Sequence, residues 1–422
     1  MKPHRTRFLS IPAVAAVAAM ALAACSSSGS GSSSSSTGSG NTGSGPITIG
    51  ASLSTTGDFS ADGQAFQRGY QLWASDVNSQ GGLLGHHVNL TFLNDGSDAT
   101  TVATNYTKLI AQDKVNFVFG PFSTLLTVPA AKVAARYDYA FPEGAGGGPA
   151  VYQLGLPNLF NPSPPIANQL VPFANWVASL PASERPKTAA YPMVNDPFAD
   201  PMTMTAQAIL QKAGVKTVYS KIFPAENPDY KAGADAVAAT GAQLVVLGTV
   251  DVPTVTAFIQ AFEQQHYNPK IIASTGGPDQ GQSFLSAVGA KNATGIMVPN
   301  GWYPGVTNPL SQAMVKAYIA KYGGTASDIN ADVAEGYSVG EVLAAAVKAT
   351  KSLDNKKVIA YLHSGVTLQT VQGPVKFNSA GENTVAQTFI FQWQAGSNFA
   401  QVLPTSASGS VKIINPKPNW AS

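Results

Sequence analysis

Short runs rich in β-branched residues alternate with amphipathic, alanine-rich runs along most of this chain, and this alternation restricts the folds open to it. Residues 47–53 form an apolar run typical of a buried strand. Residues 64–77 place large apolar side chains three or four positions apart, which is the spacing of one helix face. The alternation continues to Tyr137, starts again near Thr188 and ends at Ser274. Two series of βα units predict an α/β fold with two doubly wound parallel sheets.

The remaining elements follow from the same two periodicities. We predict further strands at 88–93, 116–120, 188–194, 217–223, 244–248 and 270–274, and helices at 100–112, 124–137, 202–213, 230–240 and 252–266. Ligands of doubly wound sheets bind beyond the carboxyl ends of the strands. Two such sheet edges that face each other would form a cleft, so loops after the strands are where functional residues are expected.

The first 25 residues have the layout of an export signal. Lys2, Arg5 and Arg7 form a basic start, and an apolar run follows from Phe8 to Ala24. This run is shorter than the roughly 20 residues of a membrane span, so residues 1–24 are predicted to be a signal peptide. Small residues lead directly into Cys25, which resembles the lipobox of bacterial lipoproteins. The resemblance implies lipidation of Cys25 and an anchor in the lipid bilayer; an ordinary signal peptide with a chance cysteine is the alternative.

Residues 25–45 are predicted to be a flexible tether, because they are nearly all Ser and Gly and cannot bury apolar surface. Cys25 is the only cysteine of the 422 residues, which excludes an internal disulfide and Cys-based catalysis in the folded part. We therefore expect the protein outside the cytoplasm, anchored to the cell membrane as a lipoprotein.

Charge argues against a nucleic-acid partner. The whole chain has 25 basic and 23 acidic residues, but without the three cations of residues 1–24 the balance is 22 to 23. A near-neutral body lacks the basic face that nucleic acid needs. About 375 residues remain from Pro46, which is enough for two domains.

Motifs for catalysis or cofactor binding are weak. Residues 38–43 match G-x-G-x-x-G but lie in the Ser/Gly tether with no strand before them. His86 and His87 are adjacent and enter a strand, so they point to opposite faces and suit one metal ion poorly. The chain contains no G-x-S-x-G, H-E-x-x-H or P-loop pattern. We predict no enzyme, no metal and no cofactor.

Several loop residues could bind a solute. Ser123 and Thr124 open a helix, where hydroxyls and free N–H groups suit a carboxylate; simple helix capping is the alternative. Gly144, Ala145 and Gly146 bare the backbone at a strand end, and could offer N–H groups to the same anion or be a plain loop. Asp279 could receive an ammonium group or be a surface turn residue. Aromatic residues that could wall an apolar pocket, or lie in a core, are Phe59, Phe122, Phe198, Trp302 and Tyr303.

From about Ile47 to about Pro404 the chain resembles the branched-chain amino acid (Leu/Ile/Val-binding) type of ABC-transporter substrate-binding proteins, which have the type I periplasmic-binding fold. The motifs that carry the resemblance occur in the family's order, at 47–57, 81–85 (GGLLG), 120–124 (GPFST), 320–323 (AKYG), 334–337 (AEGY) and 373–381 (GPVKFNSAG).

The resemblance implies roles for individual residues. Thr124 falls where a hydroxyl binds the ligand carboxylate, and Gly144 to Gly146 fall where the loop completes that grip. Phe198 takes the place of a ligand-contacting tyrosine. Asp279 takes the place of the acid that pairs with the ligand ammonium. Three features depart from the family pattern: Asp62 stands where an aromatic or apolar side chain often closes the pocket, Val250 and Asp251 replace an aromatic pair, and Gly144 to Gly148 lacks the usual Ser or Thr. These departures leave room for amides, polar amino acids or aromatic acids.

The resemblance also implies two lobes joined by a three-segment hinge. We expect lobe 1 at 46–160 plus 303–373 and lobe 2 at 161–302 plus 374–422, with crossovers near 158–164, 299–304 and 372–378. A monomer that closes on a small-molecule ligand, such as an amino acid, would deliver it to an ABC permease with a cytoplasmic ATPase. Two other possibilities remain at this point, a ligand-sensing module for a receptor and an enzyme on the same fold.

Overall fold

The computed structural model describes residues 45–224 and 230–420, and it contains the predicted alternation of strands and helices. The strands are β1 Ile47–Leu53, β2 Val88–Asn94, β3 Phe117–Val118, β4 Phe141–Pro142, β5 Leu159–Phe160, β6 Thr188–Val194, β7 Lys216–Phe223, β8 Leu244–Leu247, β9 Ile271–Ser274, β10 Ile296–Asn300, β11 Leu368–Thr370, β12 Gly373–Val375, β13 Phe389–Gln394 and β14 Asn398–Leu403. The helices are α1 Ser60–Ser79, α2 Ala99–Thr107, α3 Thr124–Arg136, α4 Pro149–Tyr152, α5 Val171–Ser179, α6 Ala199–Lys212, α7 Tyr230–Ala239, α8 Val252–Gln264, α9 Gln282–Val288, α10 Ala290–Ala293, α11 Pro309–Tyr322, α12 Ala331–Thr350 and α13 Asn355–Leu362.

The first sheet is parallel, as predicted, with strand order β2-β1-β3. β4 and β5 form a separate parallel pair, and the Gly120 N–H donates to the Pro142 carbonyl, which joins the end of the first sheet to β4. Helix 100–112 differs from the prediction, since α2 ends at Thr107 and one π-helical turn follows to Gln112.

The second sheet has seven strands in the order β14-β13-β10-β9-β8-β6-β7. Strands β10, β9, β8, β6 and β7 are parallel, whereas β13 and β14 add an antiparallel edge that the sequence pattern did not predict. Both faces of this sheet are covered: Tyr191 of β6 lies in one apolar cluster and its neighbour Ala190 lies in another. Strands buried on both faces explain why these runs read as continuous apolar stretches.

Helices α1 and α12 pack directly against each other beside the first sheet. Gly69 contacts the Val333 carbonyl, and a Cβ built on Gly336 would lie 2.9 Å from the Phe66 carbonyl oxygen, so glycine permits the close approach. Gly340 lies against Trp73 further along, which means that the two helices run in the same direction. Their amino termini therefore meet at one end.

The three segments predicted as crossovers contact one another. Ser163 and Gln372 are joined by a side-chain hydrogen bond of 3.3 Å, and a Cβ built on Gly301 would lie 2.8 Å from Pro164 Cδ. Packing refines the division into lobes that we propose. Val375 and Phe377 lie in the apolar cluster of the first sheet, so the proposed third crossover follows Phe377 rather than Gly373.

The predicted signal peptide, Cys25 and nearly all of the predicted tether lie outside the described residues. Within residues 45–224 and 230–420, no helix is both long and apolar enough to cross a membrane.

Candidate functional site

Loops that follow strands of the two sheets meet at one place. Gly148, in the loop after β4, packs directly against the carbonyl of Pro197, in the loop after β6. Phe198 follows and is half-buried between the apolar cluster of the first sheet and that of the second. The structure thus brings the glycine-rich loop at residues 144–148, which we call the glycine loop, close to Phe198.

The start of α3 carries three buried hydroxyl groups. Ser123 occupies the N-cap position, but its side chain does not cap the helix, and its Oγ has no hydrogen-bond partner among the described residues. Thr124 Oγ1 donates to the Ala145 carbonyl at 3.3 Å, which places it beside the glycine loop. Thr127 Oγ1, one turn later, is buried and also lacks a described partner. We call Ser123, Thr124 and Thr127 the hydroxyl end of the site.

The glycine loop differs from the expectation at one position. The Gly146 N–H donates to a carboxylate oxygen of Glu143, so it is not free to bind a ligand carboxylate. Gly144 faces Phe66 and the Glu335 carbonyl, which a Cβ would approach to 2.9 and 3.3 Å. Burial raises the pKa of Glu143 to about 8, although the Gly146 hydrogen bond opposes the shift. This buried acid holds the loop in place.

The opposite part of the site is built around Gln280, which follows Asp279 in the loop after β9. Its Nε2 donates to Asp62 Oδ1 at 2.6 Å and to Asp332 Oδ2 at 3.0 Å, and it lies 3.4 Å from Asp279 Oδ2. Its Oε1 accepts from Asn330 Nδ2 at 3.1 Å. Asp62 lies in the first turn of α1 and Asp332 in the first turn of α12, so the parallel packing of these helices presents both acids to Gln280.

Four carboxyl groups share this region and perturb one another; we call Asp62, Asp279, Asp332 and Glu335 the acid end. Burial raises the pKa of Asp62 well above its ordinary value, and the Asp332 and Asp279 charges raise it further. Burial, followed by the Asp279 charge, raises the pKa of Asp332 to about 8. Burial raises the pKa of Asp279 to about 6. Burial, followed by the nearby Asp332 charge, raises the pKa of Glu335 well above its usual range.

None of the ion pairs among the described residues involves a carboxyl group of the acid end. The three ion pairs in the part of the chain that the structure describes lie elsewhere, at Lys108–Asp113, Lys231–Asp235 and Lys356–Asp138. One oxygen of Asp62 and one of Asp279 are buried without a described hydrogen-bond partner. Among residues 45–224 and 230–420, no group of three or more His, Cys, Asp or Glu side chains is arranged to hold a metal ion.

Aromatic side chains flank the hydroxyl end. Phe59 and Phe122 are buried and meet edge to face, with ring centroids 5.7 Å apart. Phe122 immediately precedes Ser123, so the pair lies at the start of α3. Phe59 and Phe122 belong to the apolar cluster of the first sheet and Phe198 packs against it, and their role as an apolar wall for a ligand stays a prediction.

Two predicted contacts have other partners. Asp251 caps α8: its carboxylate accepts from the Thr254 N–H at 2.7 Å and from the Thr254 hydroxyl at 3.0 Å. Trp302 donates its indole N–H to Ser311 at 2.8 Å and is almost fully buried. Trp302 and Asp279 nevertheless both line a cavity of about 620 Å³ beside the acid end. Val250 is buried, and its carbonyl oxygen would lie 2.8 Å from a Cβ on Gly276.

Sequence reasoning missed Gln280, Asn330, Asp332, Glu335 and Glu143. Asp332 and Glu335 are three positions apart, which puts them on one helix face, and this spacing was a usable signal. Gln280 had none, because its importance comes from helices that are distant in sequence.

A family model described as periplasmic binding protein matches residues 46–398. A Leu/Ile/Val-binding protein homologue of Brucella melitensis is 24% identical over 354 residues, which cover 83% of this chain and 92% of the relative. The fold is similar to that of a leucine binding protein of Thermotoga maritima, with a TM-score of 0.74, 17% identity and coverage of 84% and 97%. A solute binding protein of R. palustris in complex with benzoate gives a TM-score of 0.73, 17% identity and coverage of 88% and 99%.

The match spans most of the folded part, and the sheets that it covers are those that position both ends of the site. It confirms the predicted resemblance and the two-sheet α/β fold, and it identifies a binding protein rather than an enzyme. This chain belongs to the periplasmic binding protein family.

Proposed function

We propose that the protein is an extracytoplasmic solute-binding lipoprotein that captures an amino acid or a related small solute and delivers it to an ABC permease. One observation carries the proposal most directly. Among the described residues, Ser123 Oγ has no hydrogen-bond partner at the hydroxyl end, and one carboxyl oxygen each of Asp62 and Asp279 has none at the acid end. A hydroxyl donor on one side and anionic acceptors on the other match the carboxylate and the ammonium group of an amino acid.

Capture requires that the ligand bind one conformation better than another. The hydroxyl end belongs to α3, beside the first sheet, whereas Asp279 and Phe198 follow strands of the second. A solute that touches both groups stabilises the state in which the sheets are close and shifts the population toward it. The contacts of Gln280 with Asp62 and Asp332 support this arrangement, since they already join the loop after β9 to α1 and α12.

Membrane anchoring through Cys25 is part of the proposal and rests on the sequence. A lipid chain at Cys25 and the Ser/Gly run after it would hold the folded part near the permease. We propose that no metal or cofactor takes part and that the protein acts as a monomer.

An aromatic acid is the second candidate ligand. The Phe59–Phe122 pair lies at the start of α3, where Ser123 follows Phe122, and we propose that a ring with a carboxylate would contact both the aromatic pair and the hydroxyl. The benzoate complex of the R. palustris protein gives independent support for this class.

A ligand screen by thermal shift tests the proposal. We expect at least one compound from a panel of amino acids, amides and aromatic acids to raise the melting temperature of the purified protein. A ligand at 100 times its Kd adds about 2.7 kcal/mol to the free energy of unfolding. If no compound of the panel stabilises the protein, solute capture of this kind is excluded.

A further inference from the structure

Three carboxylates converge on a single amide nitrogen. Gln280 Nε2 lies 2.6 Å from Asp62 Oδ1, 3.0 Å from Asp332 Oδ2 and 3.4 Å from Asp279 Oδ2. An amide nitrogen carries two hydrogens, so it can satisfy two of these acceptors well and the third only poorly. The long contact to Asp279 agrees with that limit. A primary ammonium group has three N–H donors and a positive charge, which fits three carboxylates.

The acid end has acceptor capacity that Gln280 leaves unused. Asp62 is 3% exposed, and both Asp62 Oδ2 and Asp279 Oδ1 are buried without a hydrogen-bond partner among the described residues. Buried polar atoms normally find a partner, so two orphaned carboxylate oxygens beside one neutral amide point to a missing donor. Glu335 adds a fourth carboxyl group one turn after Asp332 on α12.

Helix capping explains only part of this arrangement. Asp62 and Asp332 lie in the first turns of α1 and α12, where the helix dipole favours a negative charge. Asp279 follows a strand and Glu335 lies beyond the first turn, so the dipole accounts for neither. It also leaves the unpartnered oxygens unexplained.

We propose that the position of the Gln280 amide nitrogen is a binding site for a primary ammonium group, and that the captured solute carries two amino groups. This inference rests on the proposed function and names its substrate class, a diamine or a diamino acid. In the ligand-free protein Gln280 occupies the site; when the solute binds, its ammonium group displaces the amide.

Charge balance favours a second amino group over a neutral amino acid. A zwitterion brings one ammonium and one carboxylate, so it adds no net positive charge to the four carboxyl groups of the acid end. Glu143 is a fifth buried acid, and its charge adds to the causes that raise the pKa of Glu335. A solute with a second ammonium group lets a further carboxyl group of this cluster release its proton and pair with the added charge, whereas a leucine-like solute does not.

Paired ligands that differ only in the second amino group test the class. We expect isothermal titration of the full protein to show lysine bound at least 10-fold more tightly than norleucine, or cadaverine at least 10-fold more tightly than pentylamine. The first result identifies a diamino acid and the second a diamine. Norleucine or leucine binding as tightly as lysine, with no binding of cadaverine, overturns the ammonium-site proposal but leaves amino acid capture intact. If no compound of this set and of the wider panel binds, the proposed function itself fails.

A tethered ammonium group tests the site without any added ligand. Gln280→Lys places a primary amine within reach of Asp62, Asp279 and Asp332, and Gln280→Met is the matched control with an apolar side chain of similar length. We expect the lysine variant to melt at a higher temperature than the methionine variant and to lose binding of lysine and cadaverine. A buried lysine without such a site is destabilising, so a lysine variant that melts at or below the methionine variant contradicts the proposal.

Discussion

The hydroxyl end and the acid end of the site differ in what they offer a ligand. At the start of α3, Ser123 and Thr127 present buried hydroxyls that neither cap the helix nor bond a described neighbour. At the acid end, Asp62, Asp279 and Asp332 present carboxyl groups around one amide. We therefore expect charge, more than apolar shape, to select the solute, because the acid end offers ionisable groups whereas the hydroxyl end offers neutral ones.

The largest expected effect is the pH dependence of stability, to which the acid end contributes together with Glu143 and Glu341, whose pKa values burial also raises to about 8. Asp332, whose pKa burial and Asp279 raise to about 8, stays protonated in the folded state while its unfolded counterpart ionises above pH 4. The folded state then binds more protons, so the free energy of unfolding falls as pH rises. One such group costs about 1.4 kcal/mol per pH unit.

Several groups face the acid end with pKa values raised in the same direction, namely Asp62, Asp279 and Glu335. We therefore expect the ligand-free protein to lose at least about 3 kcal/mol of stability between pH 5 and pH 7, measured by chemical denaturation. Lys417, whose pKa burial lowers to about 7, acts oppositely only above that window. Stability that rises with pH in this window contradicts the account.

The next effect is the loss of the ammonium partner. Asp279→Ala removes one carboxylate of the acid end, and we expect the affinity for an amino-group ligand to fall about 100-fold, since breaking a buried charge pair costs about 2–5 kcal/mol. Benzoate, which has no amino group, serves as the comparison ligand. Asp58→Ala is the matched control because Asp58 is an exposed acid four residues before Asp62. Equal losses for both ligand types in the Asp279 variant contradict the assignment.

Removing one acid of the acid end is expected to stabilise the ligand-free protein. Asp332→Asn keeps the shape of the side chain and removes one of the mutually repelling charges. We expect the ligand-free variant to gain about 2 kcal/mol at pH 8, because a buried acid near like charges is costly to ionise. Denaturant unfolding with and without ligand provides the measurement. A gain in stability together with unchanged ligand affinity shows that Asp332 does not bind the solute.

The smallest effect is expected at the hydroxyl end. Ser123→Ala removes one neutral hydrogen bond to the ligand, and such a bond contributes about 1 kcal/mol. We expect the affinity to fall about fivefold by isothermal titration, with the melting temperature of the free protein unchanged or slightly raised because an unpartnered hydroxyl disappears. If Ser123→Ala lowers the ligand affinity as much as Asp279→Ala does, the acid end does not contribute more to binding than the hydroxyl end, and the account is contradicted.

The sequence predicted local structure well and the site in part. The bounds of β1 and β6 agree with the predictions because a buried parallel strand leaves a continuous apolar run. The predicted strand 116–120 is shortened to Phe117–Val118, since the Gly120 N–H bonds Pro142 instead of a strand of the first sheet. The edge formed by β13 and β14 follows no βα pattern, so periodicity alone could not join it to the second sheet.

Ser123 and Thr124 of the hydroxyl end could be predicted because they are adjacent and open a helix, whereas Thr127, one turn later, was not predicted. The acid end was visible only at Asp62 and Asp279, the first as a departure from the family pattern and the second by resemblance. Gln280 joins these two acids to Asp332 through the packing of α1 on α12. That packing unites residues about 270 positions apart in the chain, and no local pattern encodes it.

A crystal structure of the protein with lysine or cadaverine bound tests the central claim most directly. The account predicts a ligand ammonium group within hydrogen-bond distance of the carboxylates of Asp62, Asp279 and Asp332, with the Gln280 side chain displaced from its present position. A ligand amine bound elsewhere, with Gln280 still bonded to Asp62 and Asp332, would contradict it.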